Sequence, residues 1–188
     1  GMAIVGTVSG TSISFGSATT FNSGTTKDIA TTFDTTNNKV VIAYQDDGNS
    51  DYGTAIVGTV SGTSISFGSE VVFNSDSTSE MTQIVFIPGY GVLIGFGANG
   101  NGEAVFGTVS GTSISFDAPS TFGDDDGYDG IIMAYDPETG STIVIYEDGG
   151  DSRQGNARVV EVPEFSSIFL PILSTLLIVG FNYRRKNC

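Results

Sequence analysis

The sequence predicts an all-β fold of repeated four-stranded antiparallel units, each about 50 residues long, followed by one C-terminal hydrophobic helix. Three observations carry this expectation. The twelve residues VGTVSGTSISFG stand at 5–16, return unchanged at 57–68, and return at 106–117 with only the ends altered, to Phe106 and Asp117. The composition, with 26 Gly, 13 Phe and 7 Tyr and abundant Ser and Thr, is that of short strands and tight turns. The last segment turns abruptly apolar and closes on Arg184, Arg185 and Lys186.

The repeated stretch reads as a hairpin. In AIVGTVSGTSISFG, Ile4, Gly6 and Val8 alternate with Val5, Thr7 and Ser9. A two-residue loop at Gly10-Thr11 pairs Val8 with Ile13 and Gly6 with Phe15; a loop at Ser9-Gly10 keeps the same faces. Glycine as first loop residue suits a type II′ turn, which needs a positive φ there. The phenylalanine ring can then cover the bare glycine opposite it.

A second hairpin fills the rest of each unit. DIATTFDTTNNKVVIAYQDD (28–47) reads strand, polar turn, strand; EMTQIVFIPGYGVLIGFG (80–97) matches it with Pro88-Gly89 in the turn, and DGIIMAYDPETGSTIVIYED (129–148) matches again. The strand order of one unit is therefore 29–34, 40–45, 55–60 and 64–73, with an irregularity near Gly68. Such a meander is a β-propeller blade, in a partial ring or an open stack. A β-sandwich and a β-solenoid are the competing architectures. The repeats occupy 1–161. Gly1-Met2 stand where the next repeat has Gly53-Thr54, so the sequence starts inside a unit, just before its third strand, as a fragment of a longer chain would.

Charge narrows the function. All 21 acids lie at or before Glu164, with only Lys27, Lys39, Arg153 and Arg158 against them, so 1–165 carries 4 − 21 = −17. Such a body does not suit nucleic acid, whose phosphates need Lys and Arg. With no His, and with Cys188 as the single cysteine, Ser-His-Asp and Cys-His nucleophiles and His-ligated metals are excluded.

The C-terminal segment divides into a linker (162–165), an apolar helix (166–183) and a basic tail (184–188). From Phe165 to Tyr183 nineteen uncharged residues span about 28 Å as a helix, enough for a hydrocarbon core of about 30 Å. Arg184, Arg185 and Lys186 then hold the tail in the cytoplasm and leave the acidic body outside. Pro163-Glu164-Phe165, the apolar helix and the terminal basic cluster together resemble the archaeal PEF-CTERM sorting signal. That resemblance implies recognition by an archaeosortase-like membrane transpeptidase, cleavage near the motif and attachment of the body at the cell surface. An uncleaved membrane anchor is the alternative. The body resembles repetitive extracellular β-propeller-type surface proteins of marine microbes, a resemblance that carries no activity with it.

Candidate sites are few. YQDDGNSDYG (44–53) gathers Asp46, Asp47, Asn49 and Asp51 around Gly48, the hard oxygen donors calcium prefers. Without the bidentate Glu of an EF-hand, the same residues also serve as an ordinary polar turn. The matching loops keep Asn99, Asn101 and Glu103, and Glu147, Asp148 and Asp151. A second acidic loop holds Asp124, Asp125, Asp126 and Asp129. Paired carboxylates could serve a glycosidase, but an arginine cluster of the sialidase kind is not available from Arg153 and Arg158 alone. Phe15, Phe21, Phe67, Phe73 and Phe116 recur at fixed positions and read as packing between units, while Tyr52, Tyr90 and Tyr128 sit near loops as ligand-contact candidates. The expected function is non-catalytic surface display, adhesion or binding of a glycan or protein. The alternatives are an anchored extracellular hydrolase, with its site in further blades, and a structural envelope component.

Overall fold

The computed structural model of the chain describes residues 1–123, 128–148 and 154–160. The expected C-terminal helix, the Pro163-Glu164-Phe165 motif and the basic tail lie outside these residues, as do Asp124–Asp126, Asp151 and Arg153. Among the described residues no helix is long and apolar enough to cross a membrane.

The described structure is all-β, and its strands pair antiparallel throughout. In chain order the strands are β1 (Met2–Ala3), β2 (Gly6–Ser9), β3 (Ser12–Phe15), β4 (Thr19–Thr20), β5 (Thr26–Asp34), β6 (Lys39–Asp46), β7 (Tyr52–Ser61) and β8 (Ser64–Phe67). They continue as β9 (Val71–Ile87), β10 (Gly91–Ala98), β11 (Asn101–Ser110), β12 (Ser113–Phe116), β13 (Ser120–Gly123), β14 (Tyr128–Asp136), β15 (Ser141–Asp148) and β16 (Gln154–Val160).

The twelve-residue stretch forms the same hairpin three times. Val8 faces Ile13 and Gly6 faces Phe15; Val60 and Gly58 face Ile65 and Phe67; Val109 and Gly107 face Ile114 and Phe116. Gly10, Gly62 and Gly111 open the loops at φ of 60°, 59° and 61°, the conformation that makes glycine the residue of choice there. A Cβ on Gly6, Gly58 or Gly107 would stand 3.2, 3.1 or 2.7 Å from a ring carbon of Phe15, Phe67 or Phe116. The ring occupies the space that the missing side chain leaves.

These hairpins belong to successive sheet layers. The first layer holds β1 paired to β4 and β2 paired to β3. The second runs β5-β6-β7, with β8 and the start of β9 on the outer edge of β7. The third runs from the end of β9 through β10 and β11, with β12 and β13 outermost. The fourth is β14-β15-β16.

Two features depart from evenly separated units. The stretch corresponding to β7 is divided into β1 and β2 in the first layer. β7 is held straight by β6 along Tyr52–Gly58, and the first layer has no such inner neighbour among the described residues. In addition, β9 passes without a break from the second layer to the third. It pairs with β7 up to Ser77 and with β10 from Thr78 onward, so the second and third layers share one hydrogen-bonded path.

Both faces of the middle layers are apolar, because strand residues alternate between them. Val41, Ala43, Ala55 and Val57 point from the second layer into a core shared with Ile84, Ile94, Phe96, Val105 and Ile114 of the third. The opposite face of the second layer gives Ile42, Tyr44 and Ile56 to a core with Ala3 and Phe21 of the first. Leu93, Ala104 and Phe122 of the third pack on Met133, Val144 and Tyr146 of the fourth. An aromatic pair stands at the equivalent place in each junction: Phe21 with Tyr44 at 5.2 Å between ring centroids, Phe73 with Phe96 at 5.0 Å, and Phe122 with Tyr146 at 5.3 Å.

Candidate functional site

The richest polar constellation lies where the first layer meets the second. Tyr44, on β6, is fully buried, and its hydroxyl donates to Glu70 Oε1 at 2.7 Å. Asn22 follows β4 and reaches into the same place: its Nδ2 donates to Glu70 Oε1 at 3.0 Å and to Asp46 Oδ2 at 3.1 Å. Its own Oδ1 accepts from the Gly24 amide at 2.6 Å. Burial pushes the Tyr44 phenol well above its usual range, and the Glu70 carboxylate adds to the shift. Tyr44 is therefore a protonated donor, and the cluster ties three segments of chain together.

Beside it runs an open groove of about 790 Å³, lined by Phe21, Asn22, Ser66, Phe67 and Glu70 among others. Hydroxyl, amide and carboxylate groups sit here next to two aromatic rings. That mixture suits a polar ligand carrying an apolar face, as a sugar does.

The acidic turn follows directly from β6. Asp46 ends the strand and caps the 3-10 turn Asp47–Asn49, its Oδ1 accepting from the Gly48 amide at 3.0 Å. Asp47 pairs with Lys27 at 2.6 Å, and this contact, before the neighbouring Asp51, holds its carboxyl below the usual range. Asp51 is pushed upward by its contact with Asp47 and then by partial burial. Ser50 and Asp51 both take left-handed backbone, at φ of 59° and 60°. The four sequence candidates are thus neighbours in one turn. Asp46 and Asp47 have protein partners, and Asn49 sits in the 3-10 turn. Among the described residues no three His, Cys, Asp or Glu side chains converge on a point that a metal could fill.

The other candidates are scattered. Asn99 takes left-handed backbone between β10 and β11, with φ of 51°, and Asn101 opens β11. The Glu103 carboxyl is pushed up by burial, then by Asp76. Glu147, Asp148 and Asp129 fall within β14 and β15. Arg158 lies in β16 opposite Val144. Tyr52 begins β7, Tyr128 begins β14, and Tyr90 follows the Pro88-Gly89 turn and is exposed.

Sequence reasoning missed the Asn22–Tyr44–Glu70 cluster. A signal was present: tyrosine stands at 44 and 146, but phenylalanine stands at 96. A buried hydroxyl asks for a partner, and for Tyr44 Glu70 supplies it. The chain matches no family model, no curated protein and no solved structure.

Proposed function

We propose that this chain is a non-catalytic cell-surface repeat protein whose body displays its loops for adhesion or for binding a glycan or protein. In this reading the layers are blades of a propeller-like or open stack. The observation that carries it is an aromatic pair at equivalent positions in three successive junctions. Strand faces spent on packing against neighbours leave turns and rims for recognition, and the groove beside Asn22 and Glu70 is the ligand site we favour.

The surface location rests on sequence. An archaeosortase-like transpeptidase would read Pro163-Glu164-Phe165, with Arg184, Arg185 and Lys186 as the stop on the cytoplasmic side. The acidic body would then face outward.

Labelling of intact cells with a membrane-impermeant amine reagent tests this. Lys27, with half of its side chain exposed, should be modified without lysis. The intact mass should show loss of the segment beyond the motif, and replacing residues 163–165 by alanine should retain it. Labelling only after lysis overturns the proposal.

A further inference from the structure

We infer that the groove between the first and second layers binds an unacetylated amino sugar, whose ammonium group is held by Glu70. The inference rests on the reading of that groove as the ligand site, and it names the class of ligand.

The second junction serves as an internal comparison. At the first junction Phe21 and Phe67 stand edge to face at 5.9 Å, and at the second Phe73 and Phe116 do the same at 5.6 Å. Around this shared pair the two junctions diverge in one direction. Thr19, Thr20, Tyr44, Ser69 and Glu70 at the first correspond to Val71, Val72, Phe96, Ala118 and Pro119 at the second. Each of the five places is polar at the first junction and apolar at the second, although the stretch GTVSGTSISF is common to every copy of the hairpin. Packing does not require the polar set, because Phe96 is fully buried in the equivalent place without a hydroxyl.

The polar groups gather around one carboxylate. Glu70 is exposed, yet its Oε1 is fixed by donation from Tyr44 at 2.7 Å and from Asn22 at 3.0 Å. Neither bond uses Oε2, which is left for a ligand. A side chain already held in place loses little further freedom on binding. Asp46 stands behind it and shares the Asn22 amide at 3.1 Å. No Lys or Arg is among the described residues that line the groove, and 1–165 carries 4 − 21 = −17. Such a field draws in a cation and repels a uronate or a sulfated sugar.

An ammonium group on a sugar ring meets these features together. It donates to Glu70 as a charge-assisted hydrogen bond. The ring's C–H face lies against half-buried Phe67, and the exposed hydroxyls of Ser66 and Ser69 serve the sugar hydroxyls. An acetyl group on the nitrogen removes the charge and adds bulk at the carboxylate. Both walls of the groove belong to the described residues. A strand placed beside β1 as β6 is beside β7 would lie across β1 from β4, away from the groove.

Titration calorimetry of the full chain at neutral pH tests the inference with four tetramers, of glucosamine, N-acetylglucosamine, glucose and galacturonate. The glucosamine tetramer should bind, and more weakly as sodium chloride rises. The N-acetylated and glucose tetramers should bind about tenfold less tightly or worse, and the galacturonate tetramer should give no heat. Glu70→Gln keeps an acceptor for Tyr44 and Asn22, and it should weaken the glucosamine tetramer alone, again by about tenfold. Ser69→Trp fills the groove from an exposed position outside the hydrogen-bonded cluster and should block every sugar, which keeps the test open if Glu70→Gln misfolds. Equal affinity for the glucosamine and glucose tetramers, both lost in Ser69→Trp, overturns the ammonium inference and leaves the groove a sugar site. Binding of the glucosamine tetramer that survives Ser69→Trp is diffuse attraction to the acidic body and overturns the groove reading as well. So does the absence of heat with all four.

Discussion

The Thr112 carbonyl oxygen occupies the space where a side chain on residue 68 would begin. A Cβ on Gly68 would overlap that oxygen and stand 3.0 Å from the carbonyl carbon. Gly16 and Thr63 repeat the relationship one layer earlier, again with the carbonyl carbon at 3.0 Å. The tips of the second and third hairpins therefore rest on the glycine that ends the previous copy of the twelve-residue stretch. The third copy ends in Asp117, and the residues that follow β16 no longer spell the hairpin. Where no tip has to be received, the glycine is not needed. Phe106, the other altered residue, packs toward the fourth layer.

Gly68→Ala should accordingly destabilise the protein by about 1–3 kcal/mol, since the clash is with backbone and cannot be relieved by a rotamer change. Asp117 is exposed, and Asp117→Ala should stay within about 0.5 kcal/mol of wild type. Guanidinium midpoints of the two variants decide the point. Equal midpoints would mean that the tip does not bear on Gly68.

Much of this was legible because it is local. The hairpin register, the glycine at the first loop position and the Gly–Phe pairing all depend on residues within ten of one another, and the repeat prints them three times. The seat at Gly68 was not legible, because it concerns a contact between layers 44 residues apart in sequence. The Tyr44–Glu70 bond was hidden for a related reason. Glu70 occupies a place held by Ala18 and Pro119 in the other copies, so no repetition flagged it. Of the acidic turn, the grouping of Asp46, Asp47, Asn49 and Asp51 was readable. That Asn22 and Lys27 would reach it was not.

Tyr44→Phe removes one hydroxyl at a place where Phe96 shows that a phenylalanine fits. The lost hydrogen bond to a carboxylate should cost about 1–2 kcal/mol at pH 7, the lower part of the range for charged partners because Glu70 can rehydrate. The pH dependence gives a second readout. The folded phenol holds its proton above the value of about 10 at which the unfolded one releases it. Its contribution is therefore complete below that pH and declines as pH rises beyond it. Above pH 10 the wild type should lose stability faster than Tyr44→Phe, and the gap between their midpoints should narrow. Parallel curves would show that Tyr44 ionises freely.

Calcium at the acidic turn is decided by titration. The ion seeks six to eight oxygens, and here Asp46 Oδ2 holds Asn22 while Asp47 holds Lys27. We expect millimolar calcium to leave the melting temperature unchanged, because a ligand stabilises only in proportion to its occupancy of the folded state. A rise that disappears in Asp51→Asn would reassign the turn as a calcium site.

Identical hairpins should answer unequally to the same substitution. Ile13 and Ile114 share their flanking sequence from residue to residue, and they differ in what lies over them. Ile114→Ala empties a place in the core between the second and third layers and should cost about 2–5 kcal/mol. Ile13→Ala trims a side chain that is already half in water, and should cost about 1 kcal/mol or less in dilute solution. Local strand propensity is the same in both, so it cannot produce the difference. Comparable losses would mean that the first hairpin is covered in solution.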